Sequence, residues 1–186
     1  MNAEPRAMRE SFLEQVWRGM TKDPSLFFVS ADFGSPVLDS IRADFPERYV
    51  NVGIAEQNLV NVSAGLALEG FKVFAYAIAP FITLRCYEQI RVNLALLSAK
   101  RPMCVTLIGV GAGYSYTVSG PTHHCFEDIT VMRALPTVRV LSPADHMVSS
   151  RLFDVCVDGN GVNYLRLDAQ TLPVVYQTAV PDLHLG

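Results

Sequence analysis

Short apolar runs alternate along the chain with longer stretches whose apolar residues recur at helical spacing. The runs are Leu26 to Ser30, Lys72 to Ala77, Met103 to Gly109, Val138 to Leu141 and Val162 to Leu167, with a weaker one at Tyr49 to Val52. Between them, Met8 to Lys22 sets Phe12, Val16 and Met20 on one helical face, and Gly19 weakens the last turn. Ala55 to Leu68 is apolar around most of its circumference and includes Gly65, which predicts a helix packed inside the protein. Ile82 to Leu97 carries Tyr87, Ile90, Leu94 and Leu97 on one stripe, and Arg101-Pro102 stops it. Ser142-Pro143 reads as the N-cap and first residue of a further helix. Strands alternating with helices predict βαβ units. The expected fold is therefore α/β with three layers, a mostly parallel six-stranded sheet between helices on both faces.

With 186 residues the chain has room for one domain, expected over 1–170, and the proline-containing stretch 171–186 reads as a C-terminal linker or tail. Half the residues are apolar and 18% are charged, enough for a buried sheet with a surplus that points to an interface. A net charge of −3 with scattered Lys and Arg leaves no basic footprint, so nucleic acid is not the expected partner. No apolar run reaches the ~18 residues of a membrane span and the N-terminus has no secretory apolar region, so a cytoplasmic location is expected. Cys86, Cys104, Cys125 and Cys156 are too far apart for a zinc knuckle or a redox pair. They read as free, mostly buried thiols, with no metal site among them.

The chemistry concentrates at Tyr49 to Asn58, where a strand end and a Gly turn lead to Glu56 on the first turn of the apolar helix. Carboxylates are rarely buried without a partner. Glu56 either caps its own helix through the helix dipole or serves catalysis, and the local pattern leaves both open. Phe81 is likewise a core ring or a stacking surface. The glycines Gly109, Gly111 and Gly113 follow a strand but lack the spacing, helix and acidic residue of a dinucleotide fingerprint. They read as the turn that leads Tyr114, Ser115 and Tyr116 into a loop. His123 and His124 are adjacent in a Gly-Pro loop without an evident third ligand, which argues against a metal.

Three segments together resemble the transketolase family, including 1-deoxyxylulose-5-phosphate synthase and the transketolases encoded as two chains. The first is Gly53-Ile-Ala-Glu-Gln-Asn58 followed by Ala64-Gly65-Leu66-Ala67 and Gly70. The second, Phe81 to Arg91, resembles the F-x-x-x-R-x-[FY]-E-Q-I-R helix of the split members. The third is Gly120-Pro-Thr-His-His124, then Glu127-Asp128-Ile129, Met132-Arg133 and Ser142-Pro-Ala-Asp145. They follow the family's order over roughly residues 25 to 170.

The resemblance implies a pyrimidine-binding domain for thiamine diphosphate, with the diphosphate and Mg²⁺ held mainly by a separate subunit, the two pairing as α2β2. Glu56 would share a proton with the pyrimidine N1′ and so favour the imino form that deprotonates the thiazolium carbon. Ile54, Phe81, Arg85 and Asp32 complete the implied cofactor-facing set. His123 would serve catalysis by moving protons near the reacting carbon, and His124 and Ser119 would line the substrate pocket. The implied function is ketol transfer or related carboligation between a ketol donor and an aldehyde acceptor.

Two departures qualify this. Transketolases read G-E-D-G-P-T-H before the histidine, whereas this chain reads Thr117-Val118-Ser119-Gly120, so the hydrogen bond to a donor hydroxyl is lost and sugar phosphates are in doubt as donors. The G-D-G…Asn metal motif is absent, so a partner chain is expected to supply it, and the C-terminal domain usual in split members is not seen. A β subunit of a 2-oxo acid dehydrogenase and a non-catalytic regulatory relative are the alternatives. The joint presence of Glu56, Phe81 and His123 speaks against the regulator.

Overall fold

All six apolar runs become strands in a computed structural model that describes residues 4–177, Val180 and Leu183: β1 (Leu26–Ser30), β2 (Tyr49–Asn51), β3 (Lys72–Ile78), β4 (Cys104–Val110), β5 (Val138–Leu141) and β6 (Gly161–Leu167). They pair only in parallel, in the order β2-β1-β3-β4-β6-β5. Burial on both faces explains why the central strands read as continuous apolar runs; every residue of β1 is buried.

Side chains alternate between two cores. Phe28, Phe74 and Tyr76 point to one face, where α1 (Met8–Met20), α2 (Pro36–Asp44) and α6 (His146–Val157) contribute Phe12, Ile41 and Leu152. On the opposite face Phe27, Val29, Val73 and Ala75 meet Leu59 and Ala64 of α3 (Glu56–Leu68). Beside α3 lie α4 (Tyr87–Gln89), flanked by the π-helical stretches Phe81–Arg85 and Ile90–Leu96, and then α5 (Asp128–Arg133). Here Ile82, Cys86, Ile90 and Leu94 are buried at four-residue spacing. That spacing exceeds the 3.6 residues of an α-turn, and the wider π-turns keep the stripe on the sheet.

The structure corrects one expected helix start. Asp145, not Ser142, caps α6, its Oδ1 accepting from the Val148 amide at 2.9 Å. Its Oδ2 also accepts from the amides of Val175 and Tyr176, at 2.8 and 2.9 Å. A buried carboxylate that serves a helix and a returning segment at once outcompetes a hydroxyl three residues earlier. Of the stretch expected as a linker or tail, the described residues run along α1 and α6, with Thr171 bridged to Ala7 and Leu172 and Tyr176 packed on the core, whereas 178–179, 181–182 and 184–186 lie outside the described residues. All four cysteines are free, and Cys86, Cys125 and Cys156 are buried.

The chain leaves β1 for β2 on one side and returns to β3 on the other. The connections after β1 and β3 therefore diverge and open a crevice at the carboxyl ends of these strands.

Candidate active site

Parallel pairing delivers every residue singled out from the sequence to that one edge. Asp32 follows β1, Ile54 and Glu56 follow β2, Phe81 and Arg85 follow β3, and Ser119, His123 and His124 lie between β4 and α5.

Glu56 opens α3 after a turn in which Gly53 has φ of 73°. It stands in the first turn, where the helix dipole favours its charge, but it forms no capping hydrogen bond, and Ala55 occupies the N-cap without a side-chain bond. The carboxylate, 4% exposed, instead accepts from Arg85 Nη1 through Oε2 at 2.6 Å. The Arg85 guanidinium in turn lies 4.7 Å from the centre of the Phe81 ring. An open cavity of about 400 Å³ adjoins the pair, lined by Ile54, Glu56, Gln57, Asn58, Asn61 and Arg85. Ile54 is itself largely exposed at the rim.

From Phe81 a row of rings crosses the mouth of the crevice. His123 stands edge-on to Phe81 at 5.3 Å and to Tyr116 at 6.1 Å, and Tyr116 meets Phe33 at 6.4 Å. Phe33 stacks on Tyr76 at 5.3 Å, with Arg9 5.8 Å from its centre. A cation therefore stands at each end, and His123 sits between them with Nδ1 3.0 Å from Thr122 Oγ1. Arg9 is paired with Glu10 at 2.6 Å, and Ser35 donates to the same carboxylate at 3.0 Å. The hydroxyls of Tyr76 and Tyr116 are buried with no partner within the described residues. Burial raises the pKa of both phenols, so both remain neutral and able to donate at neutral pH.

The loop that carries the histidines is pinned at its base by paired amides and carbonyls of Gly113 and Cys125, at 2.8 and 3.0 Å. Gly111 has φ of 93° and lies under the Tyr116 ring, where a Cβ would overlap it. Below the loop, fully buried Asp128 accepts from Tyr164 Oη at 2.8 Å and from Arg166 Nε at 2.7 Å through the same oxygen.

The remaining candidates separate. His124 turns from the ring row into a cluster with Tyr114 and Phe126, at 5.0 and 6.1 Å, and its Nε2 is buried without a partner within the described residues. Ser119 is exposed beside Val118, whose side chain is wholly in solvent. Asp32 has φ of 49° and is exposed, clamped by Asn51, which accepts from its amide at 3.1 Å and donates to its Oδ1 at 3.0 Å. Asn51 also accepts from the Gly53 amide at 2.9 Å, so it ties the turn after β1 to the turn before Glu56. Among the described residues no three His, Cys, Asp or Glu side chains converge as metal ligands. Sequence reasoning missed Arg9, Asn51 and Tyr76. A tyrosine on a strand buried on both faces and an asparagine closing an apolar strand were the available signals.

Comparison with known proteins places these residues in a family context. Residues 4–174 match the family described as Transketolase, pyrimidine binding domain. An apulose-4-phosphate transketolase subunit from Phocaeicola vulgatus is 34% identical over 97% of the chain and 57% of its own length. A 6-deoxy-6-sulfo-D-fructose transketolase subunit of a Clostridium species is 26% identical over 88% of the chain and 50% of its own length. Among solved structures, a split-gene transketolase described as an inactive β4 tetramer superposes with a TM-score of 0.81. It is 30% identical, covering 98% of this chain and 57% of that one. The chain thus spans 50–57% of the length of these relatives.

Proposed function

The chain belongs to the transketolase pyrimidine-binding domain family, and we propose that it acts as the pyrimidine-binding subunit of a split, transketolase-like enzyme that uses thiamine diphosphate. The observation that carries this reading is Glu56, a carboxylate buried at a helix start yet adjoining an open cavity, with an aromatic face beside it. An aminopyrimidine fits such a place, since it has apolar faces and hydrogen-bonding edges. Glu56 would hold N1′ by a shared proton, Phe81 would stack on the ring for ~0.5–1.5 kcal/mol beyond burial, and Ile54 would wall the rim. Asn51 would keep Asp32 on the cofactor side of the crevice. Diphosphate and Mg²⁺ would be held mainly by the partner subunit.

When bound, thiamine diphosphate supplies the carbon nucleophile that accepts and passes on a two-carbon unit. This chain's share is orientation and proton movement. His123, lying between Phe81 and Tyr116, would give and take protons at the substrate's reacting oxygen. Arg9, with the unpartnered hydroxyls of Tyr76 and Tyr116 nearby, would receive an anionic group at the substrate's far end. The named substrates of two relatives, a sugar phosphate and a sulfo sugar, both carry such a group. His124 and Ser119 would contribute from the loop, and the exposed Tyr114, Val118, Phe126 and Ile54 would meet the partner, in an α2β2 assembly within the cytoplasm.

The test is ketol transfer by the chain combined with a candidate diphosphate-binding subunit. Glu56→Ala is expected to lower turnover by ~10²–10⁴-fold, as loss of a positioned proton-transfer group does. Retained turnover in that variant refutes the assignment, as does a chain that stays monomeric in the mixture by mass measurement.

A further inference from the structure

Arg85 makes two contacts at once, and on the reading above both lie where the pyrimidine ring would sit. Its Nη1 takes Glu56 Oε2 at 2.6 Å, and its guanidinium carbon covers the Phe81 ring at 4.7 Å. The burial of the pair is lopsided: the Glu56 side chain is 4% exposed, that of Arg85 45%. A buried carboxylate needs a counter-charge, and within the described residues Arg85 is its hydrogen-bonding partner. A half-exposed guanidinium, by contrast, can swing into water on its long stem without stranding a donor. A guanidinium only donates, and while it remains, one oxygen and the charge of Glu56 are committed to it. Stacking of a ring on Phe81 therefore requires Arg85 to yield, and its departure frees the charge of Glu56 for a shared proton.

We infer that Arg85 is an exchangeable counter-ion, a placeholder that neutralises Glu56 and covers Phe81 in the unassembled chain and is displaced by the pyrimidine ring. This rests on the proposed role of Glu56. It makes the separate subunit a poor binder of the ring. The π-helical stretch Phe81–Arg85 carries both the ring and its cover, and the Arg85 carbonyl accepts from Gln57 Nε2 at 3.3 Å. The backbone there is tied to α3, and exchange needs only side-chain motion.

The experiment titrates the full chain with a neutral probe, 4-amino-5-hydroxymethyl-2-methylpyrimidine, by calorimetry. Lacking diphosphate and thiazolium, the probe reports on this chain's residues alone. Arg85→Gln, which can still donate one hydrogen bond to Glu56, is expected to bind the probe at least ~5-fold more tightly than the unaltered chain. Arg85→Lys keeps the charge but loses the planar cover, and is expected to fall between the two. It also provides the comparison should Arg85→Gln not fold. The gain should vanish in Glu56→Gln/Arg85→Gln. Equal or weaker binding in both single Arg85 variants, including no binding in any form, overturns the placeholder. If Glu56→Gln weakens binding while the Arg85 variants do not tighten it, the placeholder falls and the role of Glu56 stands. If Glu56→Gln changes nothing in either background, both fall.

Discussion

Replacing Asp128 tests how the histidine loop is held. Its carboxylate is fully buried, and one oxygen accepts from both Tyr164 Oη and Arg166 Nε, at 2.8 and 2.7 Å. Asp128→Ala leaves a guanidinium that is 21% exposed without its partner and a buried phenol without its acceptor. Breaking one side of a largely buried ion pair costs about 3–5 kcal/mol, and the two losses share one oxygen, so they do not simply add. At about 2–4 °C per kcal/mol for a domain of this size, the melting temperature should fall by about 6–20 °C. Tyr164→Phe removes one neutral donor and leaves Arg166 served, so it should cost about 1 kcal/mol, or about 2–4 °C. Asp128→Asn keeps an acceptor but loses the charge and should lie between. Thermal unfolding followed by circular dichroism gives the ranking. An Asp128→Ala protein melting within about 2 °C of the parent, or a Tyr164→Phe protein falling as far as Asp128→Ala, would show that the network does not anchor α5 beneath the loop.

Acid should act through Asp145. Burial alone would raise its pKa, but the amides of Tyr176, Val148 and Val175 outweigh that and set it below the ordinary value. With the folded pKa depressed, its stabilisation is present above the unfolded pKa of about 3.9 and is lost as pH falls through the folded value. The melting temperature of Asp145→Asn should therefore converge on that of the parent below about pH 4; a constant gap from about pH 6 to about pH 2.5 would refute this. At the far end of the ring row, Arg9→Ala should raise KM for a phosphorylated or sulfonated donor by ~10–100-fold, the worth of a charged hydrogen bond, and leave an uncharged ketol donor unaffected. Equal effects on both donors would remove the anion from the reading.

The layers of the fold were legible because burial on both sheet faces writes itself into sequence as continuous apolar runs, and all six became strands. α2 and α5 were not. They span nine and six residues and bury two residues each, too few for a helical period to stand out. The π-helical stretches were hidden for a related reason, since a four-residue repeat reads as an α-stripe until the backbone is seen. Glu56, Phe81 and His123 were singled out as candidates by their motifs, and parallel topology brings them to one edge of the sheet. Arg9 and Tyr76 were not, because each stands among residues that pack the core or pair with one another, and no motif marks it. The pairing of Arg85 with Glu56 joins residues 29 apart in sequence, a contact no local pattern announces.

An open cavity beside Glu56 gives a physical reason for the proposed dependence on a partner subunit. A proton-sharing contact at an open edge competes with water, where charges interact roughly four times more weakly than near a protein surface with an effective dielectric of ~20. A second polypeptide laid over Ile54, Tyr114, Val118 and Phe126 would exclude that water while burying side chains now exposed. Closure and ring capture then reinforce each other, and linkage requires the effect to be reciprocal: whatever factor the partner adds to cofactor affinity, the cofactor adds to subunit affinity. Were closure also to draw the proposed placeholder Arg85 off Glu56 and Phe81, it would add to that coupling by lowering affinity in the separate chain alone.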